Sequence, residues 1–153
     1  MFILMTTHSA YRHLPLVYSC SGCSGAAQLA NHIALTLDRE RVAEMSCIAG
    51  VGGDVESLVK TAKSGRRIVA LDGCALQCVR NCLRRHGVSP TLHYTLSNFG
   101  VRKKYHAEFD KSDATRILAA VHHDLISGRA MATPMANEGE VDGPPAGSRS
   151  REG

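Results

Sequence analysis

Arg67-Ile-Val-Ala-Leu-Asp72, followed at once by Gly73-Cys74-Ala-Leu-Gln-Cys78, is the stretch on which the fold turns. Its apolar run has no polar alternation, which suits a strand covered on both faces in the middle of a parallel sheet. Gly73 breaks the run. From Ala75 to Arg85, Leu76, Val79 and Leu83 recur at helical spacing, and Gly87 and Pro90 follow as stop signals. The stretch therefore reads as a strand handing over to a helix, with thiols in the handover.

The same pattern extends in both directions. Leu14 to Ser19 reads as a short buried strand ending in the small-residue turn Cys20-Ser-Gly-Cys-Ser-Gly25, and a helix over about 26–39 buries Leu29, Ile33, Ala34 and Leu37. Arg41 to Cys47 leads to a second short strand, Ala49-Gly-Val-Gly-Gly53 reads as a flexible turn, and Asp54 caps a helix with Val55, Leu58, Val59 and Ala62 inward, ending at Gly65. Thr91 to Leu96 alternates as a fourth strand, residues 97–106 form a basic loop, and Ser112 opens a last helix to about Ile126. Strands alternating with helices predict a three-layer, Rossmann-like α/β fold with a small, mostly parallel sheet. Residues 1–13 form an N-terminal extension, 14–128 the domain, and 129–153 a Pro/Gly-rich tail without an apolar face, expected to be disordered.

In such a sheet every strand-to-helix turn emerges at the carboxyl edge, where ligands bind, so cysteines distant in sequence converge there. The chain has six cysteines, none after residue 82, and they follow apolar runs in the company of Gly, Ser or Asp. A buried cysteine serving as a small hydrophobe would sit inside such a run. Soft sulfur ligands favour zinc, Cu(I) or an iron–sulfur centre, and exposed thiols also serve redox or nucleophilic chemistry. Cys20, Cys47, Cys74 and Cys78 supply the four sulfurs that zinc takes, the last two as an i,i+4 pair on one helix face; Cys23 and Cys82 are additional candidates.

A chain of 153 residues is one domain by size and buries close to 70% of its unfolded surface, so disulfide staples are not needed. No stretch approaches the roughly 20 apolar residues of a membrane span, and Met1-Phe-Ile-Leu-Met5 is too short for a signal core. These features predict a cytoplasmic protein with no membrane partner, in a compartment where clustered thiols mean metal or catalysis rather than disulfides. The net charge of +4 raises nucleic acid as a partner. Scarce aromatics and the i,i+4 spacing of Arg80 and Arg84 favour a solvated helix face instead.

The runs Val17-Tyr-Ser-Cys-Ser-Gly22, Met45-Ser-Cys-Ile-Ala-Gly-Val-Gly-Gly53 and Ile68-Val-Ala-Leu-Asp-Gly-Cys-Ala-Leu-Gln-Cys78 together resemble the DGC-domain family of zinc-binding proteins, named for the Asp-Gly-Cys triplet. The likeness covers roughly residues 14–126, and Leu96-Ser-Asn-Phe-Gly-Val-Arg-Lys103 is similar to that family's basic segment. It implies a zinc site whose ligands, by motif match, are Cys20, Cys47, Cys74 and Cys78. Ala75 stands where the family commonly has proline, and Cys23 and Cys82 are thiols beyond the four.

Other candidates are weaker. The 49–54 glycine turn lacks the Gly-Lys-Ser/Thr of a phosphate loop, His93, His122 and His123 read as ordinary core or surface histidines, and Asp72 reads as a turn-former or hydrogen-bond acceptor beside the site. No residue is assigned a catalytic role. The leading expectation is a non-enzymatic zinc-binding protein, structural or metal-handling and regulatory, with no particular protein partner indicated. Its rival is a cysteine-dependent redox or sulfur/metalloid-transfer protein, or an iron–sulfur carrier. Truncation after Gly128 should leave metal content and melting temperature nearly unchanged, because the removed residues carry no cysteine and no apolar face. A large fall in melting temperature would place the tail in the domain.

Overall fold

The structure is a computed structural model that describes residues 8–128; the expected tail lies outside the described residues. The chain runs through α1 (His8–Tyr11), β1 (Leu16–Ser19), α2 (Gly25–Arg39), β2 (Glu44–Met45), α3 (Ile48–Gly52), α4 (Glu56–Ala62), β3 (Ile68–Asp72), α5 (Cys78–Arg85), β4 (Leu92–Thr95), a 3₁₀ turn (Leu96–Phe99) and α6 (Lys111–Ser127). Every residue of β3 is buried, as its unbroken apolar run requires. It pairs in parallel with β1 (Val17 opposite Val69) and with β4 (Val69 opposite Leu92). β2 pairs in parallel with β1, giving a four-stranded sheet in the order β2-β1-β3-β4. The sheet is thus wholly parallel, a Rossmann-like layout.

Helix α2 packs on β1, β2 and β3 and against α6, whereas α3 packs on both α4 and α5, and α5 on β3. Right-handed crossovers place these two groups on opposite faces of the sheet. Ser24 caps α2, accepting from the Ala27 N–H at 3.2 Å, and Leu29, Ala30, Ile33, Ala34 and Leu37 form its buried face. Asp110 caps α6 in the same way through the Ser112 N–H at 2.7 Å. The Tyr94 hydroxyl then donates to buried Asp124 at 2.7 Å and locks α6 to β4. Beside the start of β3, Arg66 pairs with Glu44 at 2.6 Å and donates to the Tyr11 and Leu14 carbonyls.

The local structure departs from the sequence reading in three places. Ala49–Gly53 is not a flexible turn, since residues 48–52 form α3; an added Cβ at Gly50 would strike Leu58, and one at Gly52 would lie 2.8 Å from Cys82 Sγ, so these glycines permit close helix packing. Asp54 does not cap α4. Its backbone is left-handed (φ 62°), Val55 takes the N-cap position 47% exposed, and the Asp54 carboxylate turns to Arg85 at 2.6 Å. The helix expected from Ala75 starts only at Cys78, because residues 74–77 close a separate turn in which the Gln77 N–H donates to the Cys74 carbonyl at 3.1 Å. Leu76 is consequently 65% exposed rather than inward.

At the end of β3 the chain runs against the first turn of α2. A Cβ on Gly73 would lie 2.7 Å from the Ala26 carbonyl carbon and oxygen and 2.8 Å from Ala27 N. Gly73→Ala should therefore destabilise the domain by about 1–3 kcal/mol, the usual scale of overpacking, read as a lower urea midpoint. An unchanged midpoint would mean that the strand and helix separate freely here.

Candidate functional site

The connection order reverses between β1, which leads to β2 on one side, and β3, which leads to β4 on the other. Open parallel sheets bind ligands at the carboxyl ends of the strands beside such a reversal. Cys20 directly follows β1 and Cys74 lies two residues beyond β3, so both stand at the switch point; Cys47 follows β2 at the same edge. The convergence of the three cysteine turns follows from parallel pairing alone.

Cys20 is the innermost thiol, 8% exposed. Its N–H donates to the Leu71 carbonyl at 3.0 Å, extending the β1–β3 ladder, and its Sγ accepts from the Gly73 N–H at 3.1 Å. Burial pushes its pKa up to about 11; the Gly73 hydrogen bond works the other way, and the negative charges of Asp72, Cys78 and Cys74 add to the rise. Cys20 is therefore a protonated thiol at neutral pH. Cys74 is half-exposed, while Cys23, Cys47 and Cys78 are exposed.

The thiols outside this centre are placed differently. Cys23 lies in the bend before Ser24, and Cys47 occupies the N-cap position of the short helix α3 without a side-chain capping bond. The i,i+4 pair on a helix is Cys78 with Cys82, not Cys74 with Cys78, because α5 begins at Cys78. Cys82 is half-buried against Gly52, and burial followed by the charge of Cys78 raises its pKa. Among the described residues, no three His, Cys, Asp or Glu side chains stand in a group that could hold an ion as placed. The donor chemistry of four soft sulfurs at one edge fits zinc, although as placed they do not form such a group.

Asp72 and Lys103 complete the surroundings of the thiols. Asp72 is 1% exposed; its Oδ1 accepts from the Val79 N–H at 2.8 Å, and its Oδ2 accepts from the Arg80 N–H at 3.3 Å and stands 2.8 Å from His93 Nε2. An ionised carboxylate only accepts, so Nε2 carries the proton in this pair. The sequence reading of Asp72 as an acceptor agrees with this placement, while His93 has a specific partner that strand alternation could not reveal. Lys103 belongs to the basic segment after β4. That segment returns to the site: Tyr105 bridges antiparallel to Ser24, and the Lys104 carbonyl accepts from the Gly25 N–H at 2.8 Å. Lys103 Nζ lies 5.2 Å from the Tyr105 ring centroid, and its pKa is raised first by a hydrogen bond to Tyr105 and then by Cys74.

A wholly parallel α/β sheet with cysteine turns at its switch point defines a thiol-bearing protein of the doubly wound class. The chain belongs to the DGC-domain family, whose profile matches residues 16–121. It is 60% identical over 115 residues to the "Anaerobic and virulence modulator AnvM" of Pseudomonas aeruginosa, a match covering 75% of this chain and 88% of that protein. No solved structure matches it. Among the described residues, no helix is long and apolar enough to cross a membrane.

The Cys20 thiol makes the metal-free fold sensitive to alkali. Its ordinary pKa of 9.0 is raised to about 11 in the fold, so the unfolded chain loses this proton first and gains stability relative to the native state as pH rises through that interval. Urea midpoints of metal-free protein should fall between about pH 9 and pH 11, and fall less steeply in Cys20→Ala. Tyr18, Tyr94 and Cys82, whose pKa values are also raised, contribute equally to both proteins. Parallel slopes would show that Cys20 titrates as an ordinary thiol.

Proposed function

We propose that this chain is a zinc-binding protein in which Cys20, Cys47, Cys74 and Cys78 supply the thiolates and the metal ties three loops together, in a structural or metal-handling and regulatory role. One observation carries the reading: Cys20 and Cys74 flank the switch point, with Cys20 Sγ held on the Gly73 N–H and the charges of Cys74 and Cys78 acting on it. Zinc would supply the positive charge that makes this arrangement of thiolates favourable. Cys20 must release its proton as the metal arrives, so uptake liberates acid and strengthens with pH. The Gly73 N–H remains on the sulfur and orients it, and the Lys103 ammonium offsets part of the negative charge at Cys74. The relative's name, a modulator, accords with a regulatory rather than a catalytic role. A compartment where thiols stay reduced, the cytoplasm, suits the exposed Cys23, Cys47 and Cys78.

Those exposed thiols also favour a second reading, a redox, sulfur/metalloid-transfer or iron–sulfur protein, for which reactive sulfur must be accessible. Elemental analysis and absorption spectra of anaerobically purified protein separate the two. The zinc reading expects a colourless protein with stoichiometric zinc, lost on Cys47→Ser, Cys74→Ser or Cys78→Ser and largely retained on Cys82→Ser. Absorption bands between about 320 and 450 nm would establish the cluster reading instead. Full zinc retention in Cys47→Ser would show that the metal does not join the three loops.

A further inference from the structure

We propose that Asp72 is a positioning residue that sets the separation of Cys74 and Cys78 by anchoring the start of α5 to the end of β3, an inference that rests on the thiolate metal-site reading. Helix α5 has no local cap. Gln77 occupies its N-cap position in the left-handed region (φ 49°) with no side-chain capping bond, which leaves first-turn N–H groups without helical partners. Asp72, whose backbone is held in the sheet opposite Thr95, reaches across the turn and satisfies two of them, those of Val79 and Arg80. A capping residue at the helix's own N-terminus would move with the helix. A cap from the adjacent strand instead fixes where the helix begins relative to the sheet.

The residues between strand and helix then form a turn of fixed span, with Cys74 near one end and Cys78 at the other. Its interior is braced as well: Asn81 Nδ2 donates to the Leu76 carbonyl at 3.0 Å, and the Gln77 N–H to that of Cys74 at 3.1 Å. The third donor to Asp72, His93, comes from β4 rather than from α5. It gives a buried carboxylate a further hydrogen bond from outside the helix, and its role is separable from that of the helix amides.

Zinc competition titrations and phenylarsine oxide, which condenses with two neighbouring thiols and releases water, test this on the full chain, with the bridged cysteines mapped by mass spectrometry. Asp72→Ala should weaken zinc about 10- to 100-fold, the usual effect of removing a group that orients metal ligands, and should deplete the Cys74–Cys78 arsenical bridge. Asp72→Asn keeps the shape and one acceptor and should show a smaller loss of both; it decides the matter if the alanine variant does not fold. His93→Gln should lower the melting temperature while leaving zinc affinity and the bridge near wild type. Wild-type zinc affinity and bridging in a folded Asp72 variant would overturn the proposal, as would an equal loss in His93→Gln. Should the wild-type protein take up no zinc, the metal reading fails, and the arsenical bridge alone decides the positioning role.

Discussion

The architecture depends on a close approach at Gly73. There β3 ends against the opening turn of α2, at a separation that leaves no room for even a methyl group. The same residue's N–H holds the sulfur of Cys20 from the neighbouring strand. Strand, helix and first thiol therefore meet at one backbone position, and each residue of the Asp-Gly-Cys triplet has a separate task. Asp72 anchors the following helix, Gly73 admits the preceding one, and Cys74 presents sulfur at the mouth.

The parts legible in the sequence were those with periodicity. The apolar run of β3, the buried face of α2 and the alternation of strand with helix give the layer order, and parallel pairing then gives the shared edge of Cys20, Cys47 and Cys74. What escaped depended on contacts between distant residues. Cys20 and Gly73 are 53 positions apart, and Lys103 returns to Cys74 only because the segment after β4 folds back onto the start of α2. The glycines of 48–52 read as a turn because glycine is a poor helix former; the reason for keeping them is the packing of Leu58 and Cys82 against them. The late start of α5 was hidden for a related reason, since its cap lies outside the helix in the chain.

The thiols form a gradient from interior to solvent. Cys20 is held protonated by burial, Cys74 is half-exposed beside an ammonium group, and Cys78 stands exposed at a helix start. On the proposed zinc reading, a soft cation would meet accessible sulfur first and the protonated, buried one last, and proton release from Cys20 would link completion of the site to acidity as well as to metal supply.

The second strand has a consequence of its own. β2 pairs with β1 over only two residues at the margin of the sheet, and the short helix that follows begins without a side-chain cap. Protein segments open independently according to how much backbone pairing and burial hold them, and this corner is held by far less than the β1–β3 centre. Short pairing also makes a poor template for a foreign strand, so the margin resists edge-to-edge association. Cys47 therefore follows the strand with the shorter pairing, while Cys20 and Cys74 follow the two strands paired at the centre of the sheet. On the proposed metal reading, the domain would pair a firm half-site with a more yielding one.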